Sequence, residues 1–404
     1  MNDQHLYNQA ESYMKKLCKD ISDRSVGSKG NIEATEFFES KLSSLGWATN
    51  MQKFDALDWW DGGAKLKSED TEFEVFVSPF SKEFSGRAML ATASDMKELE
   101  NKNFEEKIIL LHGNIAGEQL MPKNFVFYNP ERHQKIVSLL ENSKARAIIC
   151  ATGRNNELAG GVYPFPLIED GDFEIPSVYL TEEEGKRLLT YVDKQVFLEI
   201  NSKRIPSYGN NVIGKQGKNE SERIVITAHI DAKKGTPGAI DNASGVAILL
   251  VLAEFLSDYE GDKQIEITAF NGEDYYSSPG QMKFIMEEQD DFDNIILNIN
   301  IDGAAYKEGK TAIAFYDLPD MIKKKGIQVI NKYPDIVEGS QFPQGDHSIF
   351  LQKGRPAVTV SSEWLIENLD DQDITHTEKD NLQIIDYQKI INTAVAVKEL
   401  INKI

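Results

Sequence analysis

The sequence predicts an α/β three-layer sandwich with a mixed, mainly parallel sheet, together with a smaller β-rich inserted domain. Three observations predict it. From Gly209 onward, short β-branched runs alternate with helical segments, the texture of strand, loop and helix that builds a parallel sheet. Between about residues 64 and 205 the texture changes to shorter strands with turn signals. At 404 residues the chain is also too long for one ordinary core, so a second domain or an insertion is expected.

Residues of about 4 to 46 show two apolar stripes at helical spacing. Leu6, Tyr13, Leu17 and Ile21 form one, and Phe37, Phe38, Leu42 and Leu45 the other, so two helices joined by the Ser25–Ser28 turn are expected. Trp47 to Phe54 reads as a strand, and DWWDGG at Asp58–Gly63 as a break. Trp59 and Trp60 there are read either as packing residues at a junction or as cover for a cleft. In the middle segment Glu72–Val77, Lys107–Leu111, Ala147–Cys150 and Ser177–Leu180 are candidate strands. His133–Ser143 and Glu182–Val192 are candidate helices. In the second half the strands are Arg223–Ala228, Gln264–Phe270, Ile295–Ile301, Thr311–Phe315 and Ala357–Val360. Helices are expected at Gly245–Ser257, Gly280–Glu287, Leu318–Asn331, His347–Lys353 and Tyr387–Lys403.

Composition narrows the function classes. A net charge of −21 argues against nucleic acid and against an anionic membrane surface as partners. The N-terminal segment lacks the basic start and apolar core of a secretory signal, and no run of about 18 apolar residues occurs, so a cytoplasmic protein with no membrane partner is expected. The two cysteines, Cys18 and Cys150, are far apart and outside any CxxC spacing. Any metal must therefore be held by His, Asp and Glu.

The polar residues that end the strands supply such a set. RIVITA leads into His229 and Asp231, QIEITAF into Glu273 and Asp274, and IILNINI into Asp302, while Asp241 and His376 come from loops. A hydrolytic two-metal site needs metals roughly 3.5–4 Å apart, sharing a carboxylate and each held by further His or carboxylate ligands. His229, Asp241, Asp274, Asp302 and His376 would supply it. Glu273 would then be free to take a proton, and Asp231 is spaced to orient the His229 imidazole. Each residue alone has a plainer reading: Asp241 as a helix N-cap, Glu273-Asp274 and Asp302-Gly303 as turns, His376 as a surface histidine.

The motifs H-x-D, PGAIDNASGVA, NGED, NIDG, GDHSIFLQKGRPAV and THTEKDN, in that order, resemble the co-catalytic dizinc aminopeptidase family, which includes bacterial leucyl aminopeptidases, glutamate carboxypeptidases and glutaminyl cyclases. The resemblance covers about residues 207 to 404. It implies two Zn2+ per chain, one held by His229 and Asp302 and the other by Asp274 and His376, with Asp241 bridging. It also implies Glu273 as general base and Asp231 as the residue steering His229. EEKIILLHGN, KARAIICAT and FEIPSVYLTEEEGKRLL are similar to the protease-associated domain often inserted in this family. The domains expected are thus 1–60 with 207–404 for the peptidase, and 61–206 for the insertion.

Two positions depart from the family pattern. Asp274 stands where a second glutamate is usual, which shortens the reach by roughly 1.5 Å, the scale of one C–C bond. Either the loop compensates or the second metal is held more weakly. Gly345 replaces a more usual serine before Asp346-His347, a pair that either lines the cleft or caps a helix. The activity this implies is a zinc exopeptidase, an aminopeptidase acting on peptides with a free N-terminus. A carboxypeptidase-like or glutaminyl-cyclase-like enzyme, or a non-catalytic scaffold of the same fold, stand as alternatives.

Overall fold

The structure is a computed structural model that describes residues 3–21, 23–153, 163–342, 344–369 and 372–404. α1 (Asp3–Lys15) and α2 (Lys29–Ser44) precede β1 (Ala48–Ser68). The Ser28 hydroxyl accepts the Asn31 N–H at 3.0 Å, so the expected turn ends as the N-cap of α2. β1 corrects one expectation, because DWWDGG lies inside the strand and does not break it. Gly63 adopts a φ of +84° within extended backbone, a conformation that glycine reaches without a Cβ penalty.

Residue contacts divide the chain into two compact units, Met1–Ala56 with Ser207–Ile404, and Leu57–Pro206. In the second, the expected strand Glu72–Val77 is two short ones, β2 (Thr71–Phe73) and β3 (Phe76–Val77). The Glu74 N–H between them turns to the Glu184 carboxylate at 3.3 Å and not to a ladder partner. β4 (Phe84–Ala93), α3 (Met96–Asn101), β5 (Ile108–Leu111), α4 (Glu131–Asn142), β6 (Ala147–Thr152), β7 (Ser177–Thr181) and α5 (Glu182–Leu188) follow. β4, β5, β6 and β7 are adjacent and parallel, and β3 closes their edge antiparallel to β7. Trp59 packs on Phe80 inside this unit with ring centroids 6.0 Å apart, while Trp60 is half exposed.

The chain returns through β8 (Gln195–Gln216) to β9 (Arg223–His229), α6 (Ser244–Phe255), β10 (Gln264–Phe270), α7 (Pro279–Glu287), β11 (Ile295–Ile301), β12 (Thr311–Tyr316), α8 (Asp320–Ile330), β13 (Ile336–Glu338), α9 (His347–Gln352), β14 (Ala357–Ser362), α10 (Glu363–Glu367) and α11 (Tyr387–Ile401). The strand order is β13-β12-β14-β11-β9-β10-β8. The central β14-β11-β9-β10 run is parallel, while β12–β14 and β10–β8 are antiparallel. The sheet is therefore mixed and mainly parallel.

Period-two alternation separates the two faces of this sheet. Ile224, Ile226 and Ala228 of β9 and Leu297, Ile299 and Ile301 of β11 join a core with residues of α1, α2, α6 and α11. On the other face Phe270, Phe284 of α7, Phe292 and Phe350 of α9 stack at centroid distances of 5.1 to 6.4 Å. Helices thus cover both faces, as buried parallel strands require. α6 is the extreme case, with every residue from Ser244 to Ala253 buried, and the unbroken apolar run Val246–Ala253 follows from having no solvent face there. Leu249→Ala in α6 is expected to lower unfolding stability by about 2–5 kcal/mol. Equilibrium urea unfolding checks it, and a wild-type midpoint would contradict the packing described.

Candidate metal centre

Strand register assembles the site. Thr227 of β9 is paired with Asn300 of β11, so two residues further on His229 and Asp302 come side by side at the carboxyl ends of adjacent strands. On the same face Thr227 donates to Asn300 Oδ1 at 2.8 Å and Asn298 donates to Thr227 Oγ1 at 3.2 Å. This polar ladder leads to the site. The His229 Nε2 atom is 3.1 Å from Asp241 Oδ1 and 3.5 Å from Asp302 Oδ1. His376 Nε2 is 3.2 Å from Asp241 Oδ2 and 3.1 Å from Asp274 Oδ1. All five expected ligand residues are brought together, and Asp241 stands between the two imidazoles with one oxygen toward each.

Two loops are held by buried carboxylates. Asp231 Oδ1 accepts the Gly272 N–H at 2.8 Å and the Glu273 N–H at 3.4 Å, and Oδ2 accepts the Asp274 N–H at 3.0 Å. Its carboxylate is 3.7 Å from His229 Nδ1, whose closer partner is the Asp231 carbonyl at 3.2 Å. Asp231 therefore reaches His229 mainly through its backbone and spends its side chain on the loop that carries Glu273 and Asp274. That loop starts at Gly272, whose φ of +126° suits a residue without Cβ. Drawn in this way, Asp274 reaches His376 in spite of its short side chain.

The second loop contains Asp241. Its Asp241–Asn242 peptide is cis, and both residues leave helical φ/ψ. Asn242, not Asp241, serves the start of α6: its Oδ1 accepts the Gly245 N–H at 3.1 Å and its Nδ2 donates to the Ile301 carbonyl at 2.8 Å. A Cβ on Gly245 would fall 2.4 Å from Asn242 Oδ1 and 2.6 Å from the Ile301 carbonyl, so this close approach needs glycine. The Asp241 side chain is thereby free to face the histidines. Asp346 likewise makes no side-chain cap to α9; its Oδ1 accepts from Gln281 Nε2 at 2.7 Å.

The cluster concentrates negative charge. Burial lowers the pKa of His376, but Asp274 and Asp241 outweigh it and push it up to about 10. His229 is treated the same way by burial against Asp302, Asp231 and Asp241, and ends well above its ordinary value. Glu273 is driven well above the usual carboxylate range by burial, with His229 opposing and Asp302, Asp274 and Asp346 adding to it. Burial also brings Asp346 to about 7. Carboxylates outnumber imidazoles in the cluster, so positive charge placed among them is stabilising. A divalent cation fits the same donors: one atom each of His229, Asp241 and Asp274 lie within 4.8 Å of one another. His229 Nε2 and Asp274 Oδ2 are buried with no hydrogen-bond partner, although His229 Nε2 is near two carboxylates. Such a set of His and Asp donors is of the type that holds zinc.

Three residues here had no role in the sequence reading. Asp380 accepts the Ile240 and Asp241 N–H groups. Arg24, buried, donates to the carbonyls of Leu17, Ile230, Pro237 and Gly238 at 2.7 to 3.0 Å. Gln281 holds Asp346. Asp380 sits in the THTEKDN motif, so a signal was present there; nothing in the spacing marks the other two.

Residues 211–401 match the model of Peptidase family M28. Aminopeptidase YwaD of Bacillus subtilis is 30% identical over 112 residues, 27% of this chain; the match covers only 24% of that protein's own length. Two solved structures share the fold along the chain. An aminopeptidase from Aneurinibacillus sp. strain AM-1 superimposes with a TM-score of 0.77 at 20% identity, over 100% of this chain and 93% of that one. The zinc aminopeptidase BSAP from Bacillus subtilis gives 0.73 at 18% identity, over 98% and 94%. The family's model is thus matched across the segment that carries His229, Asp241, Asp274, Asp302 and His376, and the fold of the two solved aminopeptidases runs the length of the chain.

Proposed function

We propose that the protein is a zinc-dependent aminopeptidase that hydrolyses the N-terminal peptide bond of peptides bearing a free amine. The observation that carries this reading is Asp241, whose two oxygens face two different histidines at 3.1 and 3.2 Å, the disposition expected of a carboxylate shared by two metals. His229 and Asp302 would hold one zinc, Asp274 and His376 the other, and Asp241 both. When bound, zinc supplies Lewis acidity that acidifies water and polarises a carbonyl.

Glu273 is then the base. It stands in the desolvated cluster beside His229 and Asp302, its backbone pinned by Asp231. It takes a proton from the attacking water and passes it to the leaving amine. The surplus of carboxylates around His376 favours a cationic α-amine close by, which supports exopeptidase action. The names of the similar aminopeptidases point the same way.

The Leu57–Pro206 unit is read as a protease-associated-like domain. Its KIILL, AIIC and SVYL runs are adjacent parallel strands, which supports that reading. Among the described residues no helix is long and apolar enough to cross a membrane. Both cysteines are free, which supports a reducing compartment such as the cytoplasm.

Glu273→Gln is expected to retain zinc while kcat falls by about 10²–10⁴-fold; zinc analysis alongside kinetics checks it, and near-normal turnover refutes the assignment. Asp274→Ala should reduce the zinc bound after dialysis from two per chain to one, and retention of both would remove it from the ligand set. Peptides with a free N-terminus should be cleaved and their N-acetylated forms left intact. Equal cleavage of the two would exclude an aminopeptidase.

A further inference from the structure

We propose that Asp380 is a positioning residue for the metal centre, fixing the backbone of Asp241 and tying it to the loop that carries His376. This rests on the reading of Asp241 and His376 as zinc ligands. Asp380 is fully buried and follows His376 by one short turn. Its Oδ1 accepts the Ile240 N–H at 2.6 Å and its Oδ2 the Asp241 N–H at 3.1 Å, while its carbonyl accepts the Ala239 N–H at 3.2 Å. Successive backbone donors of the Asp241 turn thus end on a single residue.

The need for it follows from the backbone. Asp241 and Asn242 adopt φ/ψ of −124°/82° and −138°/42°, so the turn is not regular helix and its buried N–H groups cannot rely on a regular ladder of carbonyls. Asp380 supplies the acceptors. The consequence is positional, because the Asp241 carboxylate must meet His229 on one side and His376 on the other. A shift of the turn by a fraction of an ångström would spoil both distances, and Asp380 fixes that turn from the very loop on which His376 sits. Arg24 holds the opposite side of the turn through the Pro237 and Gly238 carbonyls. The Thr236 hydroxyl ties the same two loops, donating to the Thr377 carbonyl at 2.9 Å and accepting the Gly238 N–H at 3.1 Å.

The test compares zinc affinity, by competition with a chromogenic chelator, with thermal melting of apo and zinc-loaded protein. In Asp380→Asn one acceptor oxygen becomes an NH2 donor, so one buried N–H loses its partner. Zinc affinity is expected to fall about 10–100-fold, and the rise in melting temperature on adding zinc to shrink, while the apoprotein still melts cooperatively. Asp380→Glu retains the charge and both acceptors but displaces them by one methylene. It should also bind zinc more weakly, and it decides the matter if the asparagine variant does not fold. If the wild-type chain binds zinc and both Asp380 variants bind it equally well, the positioning role is overturned and the metal reading stands. If the wild-type chain binds no zinc, both are overturned.

Discussion

A carboxylate taken out of water without donors is destabilising by several kcal/mol, and Asp231 and Asp380 are among those this chain buries completely. Both find their donors in the backbone of a neighbouring loop. Asp231, beside His229, holds the segment Gly272–Asp274, and Asp380, beside His376, holds Ile240–Asp241. Each imidazole is therefore on the same loop as a carboxylate that anchors a different loop of the site. The geometry of the centre depends on this cross-tying, since the loops themselves have little regular structure to keep them in place.

This arrangement explains how a shortened side chain is tolerated. Asp274 lacks the extra methylene of glutamate, yet its Oδ1 lies 3.1 Å from His376 Nε2. The reach is recovered in the main chain, where Asp231 receives the Asp274 N–H and Gly272 permits the turn. Of the two possibilities open from sequence, compensation by the loop is the one the geometry favours.

The strands and most helices were legible because burial imposes a pattern on residue type. RIVITA, QIEITAF and IILNINI are short runs rich in β-branched residues with both sides covered, and the His and Asp residues that follow stand out. The candidate site was legible for the same reason: His229, Glu273, Asp274 and Asp302 directly follow apolar runs, and Asp241 and His376 lie in recognisable motifs. What could not be read was pairing across the fold. Arg24 serves carbonyls more than two hundred residues away, and no local pattern encodes that. Lys379-Asp380-Asn381 looks like a solvated charged turn, although its aspartate is buried. DWWDGG looks like an interruption, because glycine's freedom marks a bend and a chain end equally well.

α6 carries one more consequence, for the order in which the molecule can be made. Its flanks are covered by α1 and α2, from the beginning of the chain, and by α11, from its end. During synthesis the N-terminal helices and α6 emerge long before α11 does, so the apolar Val246–Ala253 run waits with part of its surface uncovered. Until α11 arrives, the helix that follows the Asp241 turn lacks its final support. The nascent chain is most exposed to self-association in that interval, and the turn that carries Asp241 is fully supported only when α1, α2 and α11 have all packed on α6.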